Sequence, residues 1–570
     1  MQFQDTAFKD SNPADTVTRI KSILASNGIK TKEFWQPSNI PYCHAMSVCM
    51  EGTTLRSNGK GVTRELAQAS GYGELIERLQ MGITGSAESQ KAALQDDISP
   101  LKRLPAKELW QRNHRWYEAL SQKLTICTGH SMNAKDILLR FADKDGTIAV
   151  REYLCPGSGR VEYFPAEIIQ RIYCTNGCAA GNTMEEAMVQ AISEIVERHH
   201  QLRIFHEDLV PPEIPEADLI PCEAAWAIIS YLREHGFAVS VRDCSFGTPF
   251  PVLCVCLRDV KTGRYHTHFG AFPVFEIALE RALTEAFQGR TLENVAQFQN
   301  YSDKKPGVHH PCGLGNEVFF GSWEKTENFF TGQPSYPYHT TQGFHAKSNK
   351  ALLSMCLKYF HDLGYDVLVQ NRSALGFPTC QIIIPGISEV MVHRLHPGLD
   401  DTRYANAAAK CLRSPSNASV SDAMALMMHL QQLDQFGPKV RDAKGFSVCA
   451  RLPLKLDRIQ NEFLLVATLC HINYRMGRLN EVQQGIGKLI RLSSGDERDY
   501  LLKLGQNLQP YNPQCNPFDD YVLNCDFNHC TDCRFAPVCC YQSNHALSTL
   551  ISAKTAQLDA NDFSNFLKDV

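Results

Sequence analysis

Two hydrophobic rhythms divide the chain. Up to about residue 400, short β-branched runs bounded by Gly, Asp or Pro predict strands at 43–50, 136–142, 237–243, 251–259, 264–270, 365–371 and 379–385, with helices between them. Lys261-Thr262-Gly263 reads as a turn joining two paired strands. Beyond 400 the period becomes that of amphipathic helices, at 402–436, 455–476 and 479–493. Within them LLVATLCHINYRMGRLNEVQQGIGKLI predicts a helix, a Gly-containing turn and a second helix. The expected fold class is α+β: a mixed α/β domain over 1–400, a helical region over 401–504 and a Cys-rich tail over 505–570. No apolar run reaches the 18 residues of a membrane span, and the polar N-terminus lacks a signal-peptide core. The expected location is cytoplasmic.

A self-match gives the α/β part its organisation. GVTRELAQASGYGELIER at 61–78 aligns with GNTMEEAMVQAISEIVER at 181–198, a fixed offset of 120. Gly61, Thr63, Glu65, Ala67, Glu74, Glu77 and Arg78 meet Gly181, Thr183, Glu185, Ala187, Glu194, Glu197 and Arg198. A fainter third copy, ALERALTEAFQ at 278–288, aligns with 187–197 and sets Glu285 on Glu194 and Gln288 on Glu197.

Helical geometry turns the repeat into chemistry. Residues i, i+4, i+8 and i+11 share one face, so Glu186, Gln190, Glu194 and Glu197 form a polar stripe. Glu74 pairs with Glu77 on the first helix, and Arg281, Glu285 and Gln288 share a face of the third. Converging carboxylates repel unless a hard cation sits between them, and Mg²⁺ commonly brings a nucleotide's phosphates. Arg78, Arg198 and Arg281 would meet phosphate or balance the acids. The Asn- and Gly-rich segments Asn58–Gly61 and Asn176–Asn182, read as loops at helix N-termini, would suit phosphate. One E-x-x-E-R alone is ordinary on a solvated helix, and Thr183 with Glu186 also fits a capping box. Two copies and a partial third favour a nucleotide–metal site.

These segments, SNGKGVTRELAQASGYGELIER, TNGCAAGNTMEEAMVQAISEIVERHH and GAFPVFEIALERALTEAFQGR, with CQIIIPGISEV at 380–390, resemble the YcaO family over roughly residues 1–400. The resemblance implies an ATP-binding α/β catalytic domain in which a peptide-bond oxygen is phosphorylated, a nucleophile adds to the carbon, and phosphate leaves with the oxygen. It implies Mg²⁺ ligation by Glu74, Glu77, Glu194 and Glu197, and ATP contacts from Lys9, Thr16, Asn182, Glu186, Arg198, Arg281 and Glu285. Ala179 stands where close relatives have Ser. Azoline-forming members tend to end in a PxPxP tail, whereas this sequence ends NDFSNFLKDV. That turns the expectation toward the non-azoline branch, which includes accessory factors of ribosomal-protein methylthiolation. The alternatives are a cyclodehydratase or thioamide synthetase of a natural-product pathway, and a scaffold that binds ATP without turnover. The expected partners are a peptide or ribosomal protein substrate and a partner enzyme docking on the helical region. A homodimer stays open.

Composition narrows this further. With 44% apolar and 21% charged residues the chain is ordinary globular protein, and a net charge of −4 gives no basic surface for nucleic acid or membrane. Cysteine stands out, at 22 residues. Most are scattered and read as small core residues. CDFNHCTDCRFAPVCC at 525–540 is different: Cys525, Cys530, Cys533 and Cys539 have the spacing of a tetrathiolate site for Zn²⁺ or an iron–sulfur cluster, with redox-active thiols the remaining reading.

Overall fold

The computed structural model describes residues 8–53, 55–82, 101–288, 292, 327–340, 343–397, 411–419, 422–423, 426, 458–508, 511, 515–522, 539, 541–558 and 560–568. Its strands are β1 (Thr31–Trp35), β2 (His44–Met50), β3 (Arg56–Gly61), β4 (Lys102–Pro105), β5 (Thr147–Leu154), β6 (Val161–Pro165), β7 (Cys178–Ala180), β8 (Phe237–Asp243), β9 (Val252–Asp259), β10 (Tyr265–Ala271), β11 (Leu368–Asn371) and β12 (Thr379–Ile383). The principal helices are α1 (Pro13–Ser26), α2 (Arg64–Gln80), α3 (Ala106–Thr128), α4 (Ala134–Leu139), α5 (Met184–His206), α6 (Glu223–Glu234), α7 (Phe275–Ala286) and α8 (Asn349–Asp362), followed by α9 (Arg458–Arg475), α10 (Leu479–Leu492), α11 (Gly495–Gln506), α12 (Tyr541–Thr555) and α13 (Ala560–Lys568).

The strands form three antiparallel sheets. Two are three-stranded, ordered β1-β2-β3 and β10-β9-β8; the third runs β4-β5-β11-β12-β7, with β6 also on β5. The mixed α/β architecture and the helical C-terminal region are as expected. Lys261-Thr262-Gly263 does join β9 to β10: Asp259 accepts from the Lys261 and Thr262 amides, and Gly263 turns the chain at φ +67°.

One expected strand is a helix. Residues 136–139 lie in α4 and 140–142 in the turn after it, because Asn133 caps the helix by accepting from the Lys135 amide and because Ile137 and Leu138 are buried while Leu139 stays exposed. The segment Asn58–Gly61, read as a loop, is instead the end of β3.

The sequence repeat is a structural one. Each copy is a strand running into a helix: β3 into α2, β7 into α5 and β10 into α7. Thr63 and Thr183 cap α2 and α5 in the same way, accepting from the amides of Leu66 and Glu186. Glycines let strand and helix touch. A Cβ on Gly61 or Gly181 would lie 2.7 or 2.5 Å from the amide nitrogen of Ala67 or Ala187, the same residue of each copy. A Cβ on Gly59 would meet the Ala67 carbonyl oxygen at 2.0 Å, and on Gly270 the Ala278 oxygen at 2.6 Å. Those pairs share one spacing, which makes the third copy equivalent to the first.

Helix α5 is the axis of the largest core. Ala187, Met188, Ala191, Ile192, Ile195 and Val196 pack there with β8–β10 and α6. Most of the helix is buried; of its polar stripe Glu186 is buried, and Gln190, Glu194 and Glu197 are half-buried. In the C-terminal region α9 and α10 pair through Val466, Ala467, Val482 and Ile486, with Gly477 at φ +70° in the turn, as the pattern predicts. Helices α12 and α13 return to the α/β part: Ile551 joins the core under α1 and α2, and Phe563 and Leu567 join the core around α5.

Replacing Gly59 with Ala is expected to overpack the β3–α2 contact and destabilise the protein by about 1–3 kcal/mol or more. Gly73→Ala, on the same helix with nothing within 4 Å of the new Cβ, is expected to stabilise by about 0.5–1 kcal/mol. Urea unfolding followed by circular dichroism compares them; equal effects would contradict the close-approach account.

Candidate nucleotide and metal site

Two clusters of polar side chains lie along the α5 stripe, one at its N-terminal end. Glu186 is buried and accepts from the amides of Asp10 (3.1 Å) and Asn182 (3.2 Å) and from Asn182 Nδ2 (3.0 Å), while Lys9 Nζ stands 3.5 Å away. Thr16 Oγ1 donates to Asn182 Oδ1 at 2.8 Å, and Thr183 bonds Asp10. Thr183 caps the helix, yet the Glu186 carboxylate ties the N-terminal segment down as well. Lys9, Thr16, Asn182 and Glu186, expected on one ligand, are thus brought together.

The second cluster lies where α2, α5 and α7 meet. Arg78 donates to Glu74 at 3.3 Å and stands 3.9 Å from Glu77; Arg198 stands 3.9 Å from Glu197 and donates to Gln201. Glu74 also accepts from the Asn58 amide at 3.1 Å. Arg281 donates to Gln190, the member of the stripe between the two clusters. By helical rise, Glu186 and Glu197 are roughly 16 Å apart. Gln288 of the third copy donates to the Asn58 carbonyl at 2.8 Å, holding β3 against the end of α7.

Sequence reasoning gave Lys60 no role. It projects from β3 into the second cluster, forms an ion pair with Glu285, and feels Arg281, Glu197, Glu74 and Arg198. Burial, then Arg281, pulls its pKa down to about 8 against the pull of Glu197 and Glu74. The signal was a lone Lys between two glycines. Its equivalents at offsets 120 and 211 are Ala180 and Ala271, so the repeat does not single it out.

The acids here are half-buried beside one another. Burial pushes Glu77 up to about 8; Arg78 opposes this, while Glu194 and Glu74 add to it. Glu194 is raised too, first by burial, against the pull of Arg198 and Arg78. Arg78 is held charged by Glu77, Glu74 and Glu194 despite its own burial. The partners pull different ways because one guanidinium 3.9 Å off does not outweigh burial plus two neighbouring carboxylates. Beneath them, Cys178 is buried and its thiol is raised by burial and by Glu77. Among the described residues no three His, Cys, Asp or Glu side chains close around one point that would hold a metal ion; Glu74, Glu77 and Glu197 stand beside arginines instead.

The expected tail site is seen only in part. Cys525, Cys530 and Cys533 lie outside the described residues, and Cys539 is half-buried. Among the described residues no helix is long and apolar enough to cross a membrane.

The profile of the family described as YcaO cyclodehydratase, ATP- and Mg²⁺-binding, matches residues 58–388. The chain is 28% identical over 397 residues to the ribosomal protein S12 methylthiotransferase accessory factor YcaO of Escherichia coli, covering 67% of this chain and 66% of that one. It is 27% identical over 414 residues to an uncharacterized protein of Haemophilus influenzae, covering 70% and 67%. The match therefore spans about two thirds of these relatives' length. Among solved structures, a heterocyclase in complex with substrate and cofactor superposes with a TM-score of 0.48 at 21% identity, over 66% of this chain and 53% of that one. YcaO from Methanopyrus kandleri bound with AMPPCP and Mg²⁺ gives 0.40 at 17% identity, over 67% and 92%.

A pKa raised from 4.5 to about 8 means that folding favours protonated Glu77. That contribution is complete below 4.5 and is lost as pH rises through 8. In the ligand-free protein, Glu77→Gln is therefore expected to gain in melting temperature relative to the unmodified protein as pH rises from 5 to 8.5. Differential scanning calorimetry across that range tests this, and a difference that shrinks with pH would contradict it.

Proposed function

The chain belongs to the YcaO family, and on that premise we propose that it binds Mg²⁺ and ATP along the α5 stripe and transfers the γ-phosphoryl group to a peptide amide oxygen. The observation that carries this reading is the half-buried acid cluster formed where three copies of one strand–helix unit converge. Glu77 and Glu194 are driven toward protonation there, so the protein holds more carboxylate than it neutralises.

The donor set fits a magnesium ion. It is all oxygen, suited to a hard cation, and acids that repel each other gain most from one. Glu74, Glu77, Glu194 and Glu197 would hold Mg²⁺, which when bound neutralises phosphate charge. The remaining work falls to the chain's own groups. Arg78 and Arg198, which face carboxylates, would offer planar donors to phosphate oxygens and to the negative charge that develops there. Lys60 and Arg281 add positive charge from the β3 and α7 sides. Lys9, Thr16, Asn182 and Glu186 hold the N-terminal segment against the start of α5 and would contact the nucleotide there. Glu285 holds Lys60 in place.

In the reaction the amide oxygen attacks the γ-phosphorus and ADP leaves. A nucleophile then adds to the amide carbon, and the C–O bond breaks as phosphate departs with the oxygen. The relative of Escherichia coli is named as an accessory factor of ribosomal protein S12 methylthiotransferase; that likeness favours a second reading, in which the same site serves methylthiolation of a ribosomal protein.

Isothermal titration with Mg²⁺ and a non-hydrolysable ATP analogue tests the site. Glu194→Ala and Glu197→Ala are each expected to remove measurable binding. Arg198→Lys is expected to weaken binding or turnover by about 1–3 kcal/mol, since an ammonium does not replace a planar fork. Unchanged affinity in both glutamate variants would overturn the assignment.

A further inference from the structure

Arg372 is a buried cation without a counter-charge. It follows β11, is 8% exposed, and its Nε has no hydrogen-bond partner. Among the described residues no carboxylate lies within ion-pair distance of it. The charged neighbour it feels most is another arginine, Arg151. Arg151 lies on β5, the strand that pairs with β11 at Val369↔Leu154. Like charges close together repel, and a buried guanidinium cannot shed its proton at neutral pH. A buried charge left uncompensated costs several kcal/mol. A buried arginine beside a second, half-buried one gains most when an anion arrives.

The surroundings suit one. Along β11 and β12 the same face of the sheet carries Gln370 and Gln381, and Gln381 pairs in register with Cys178 of β7. Tyr153 donates to Gln381 at 2.9 Å. Gln80, at the end of α2, holds the loop after Arg372: it donates to the Phe377 carbonyl at 2.8 Å and accepts from the Leu375 amide at 2.7 Å. Cys178 lies within electrostatic reach of Arg372 on one side and of Glu77 and Glu194 on the other. The arginine pair therefore adjoins the acid cluster on a polar sheet face.

We propose that Arg372 and Arg151 form a carboxylate subsite for the acceptor peptide, so that the peptide is acidic at or next to the amide that reacts. This rests on the reading of the acid cluster as the phosphorylating site. A carboxylate is planar and takes two parallel N–H donors from a guanidinium fork. It would bring the negative charge this face lacks, while the acid cluster would repel the same peptide were it placed there. The subsite thus sorts acceptors by charge and keeps their acidic group off the metal-binding side.

The test uses the full chain and two blocked pentapeptides of glycine, one with a central aspartate and one with a central asparagine. Binding is followed by ligand-observed NMR, with inorganic phosphate as a third probe. The aspartate peptide is expected to bind at least tenfold more tightly than the asparagine peptide. Arg372→Met is expected to lose that preference, to keep binding Mg²⁺ with the ATP analogue, and to melt no lower than the unmodified protein without ligand. Arg372→Gln provides a second variant that keeps a polar end. Equal binding of the two peptides would overturn the subsite, as would phosphate binding with no response to the aspartate peptide. A lower ligand-free melting temperature in both variants would make Arg372 a structural counter-ion and overturn it too. Charge discrimination in a protein that binds no nucleotide would uphold the subsite and overturn the phosphorylation reading on which its role depends.

Discussion

Burial of like charges is the constraint on which the rest of the site depends. Helix α5 packs most of its surface in the core, so the acids Glu194 and Glu197 of its polar stripe are half-buried, and α2 brings Glu74 and Glu77 beside them. All four are half-buried, so water screens them only in part. The protein answers with Arg78, Arg198, Arg281 and Lys60, all reaching into one junction. The answer is incomplete, as the upward shifts of Glu77 and Glu194 record. A cluster kept in this state is suited to a ligand that carries both a dication and a polyanion, since each half relieves one side of the imbalance.

Glycine makes the junction close enough to matter. At Gly59, Gly61, Gly181 and Gly270 a single methyl group would strike helix backbone. Because each helix presses on its own strand, the charged faces of α2, α5 and α7 approach one another. The same residues that pack the repeat thus aim its chemistry, and the N-terminal segment closes one end through Glu186.

Much of this was legible in the sequence, and what was not has physical causes. The repeat was visible because a close strand–helix contact needs Gly and Ala at fixed spacing and the site needs acids at fixed spacing. Strand β3 was hidden because Arg56–Gly61 has almost no β-branched residues; it is a strand through pairing with β2 and contact with α2, which are tertiary facts. Residues 136–142 misled because the apolar run Ile137-Leu138-Leu139 fits a strand or a helix, and the Asn133 cap decided for the helix. Lys60 and Arg372 stand alone in the sequence. Their meaning comes from neighbours far along the chain, Glu285 for one and Arg151 for the other.

The central claim is that the carboxylates of α2 and α5 hold a divalent ion together with nucleotide. The most direct measurement is an anomalous difference map from crystals soaked with Mn²⁺, with and without a non-hydrolysable ATP analogue. The account predicts a peak between the Glu74–Glu77 and Glu194–Glu197 pairs when the analogue is present. No peak there, or a peak only elsewhere in the chain, would contradict it.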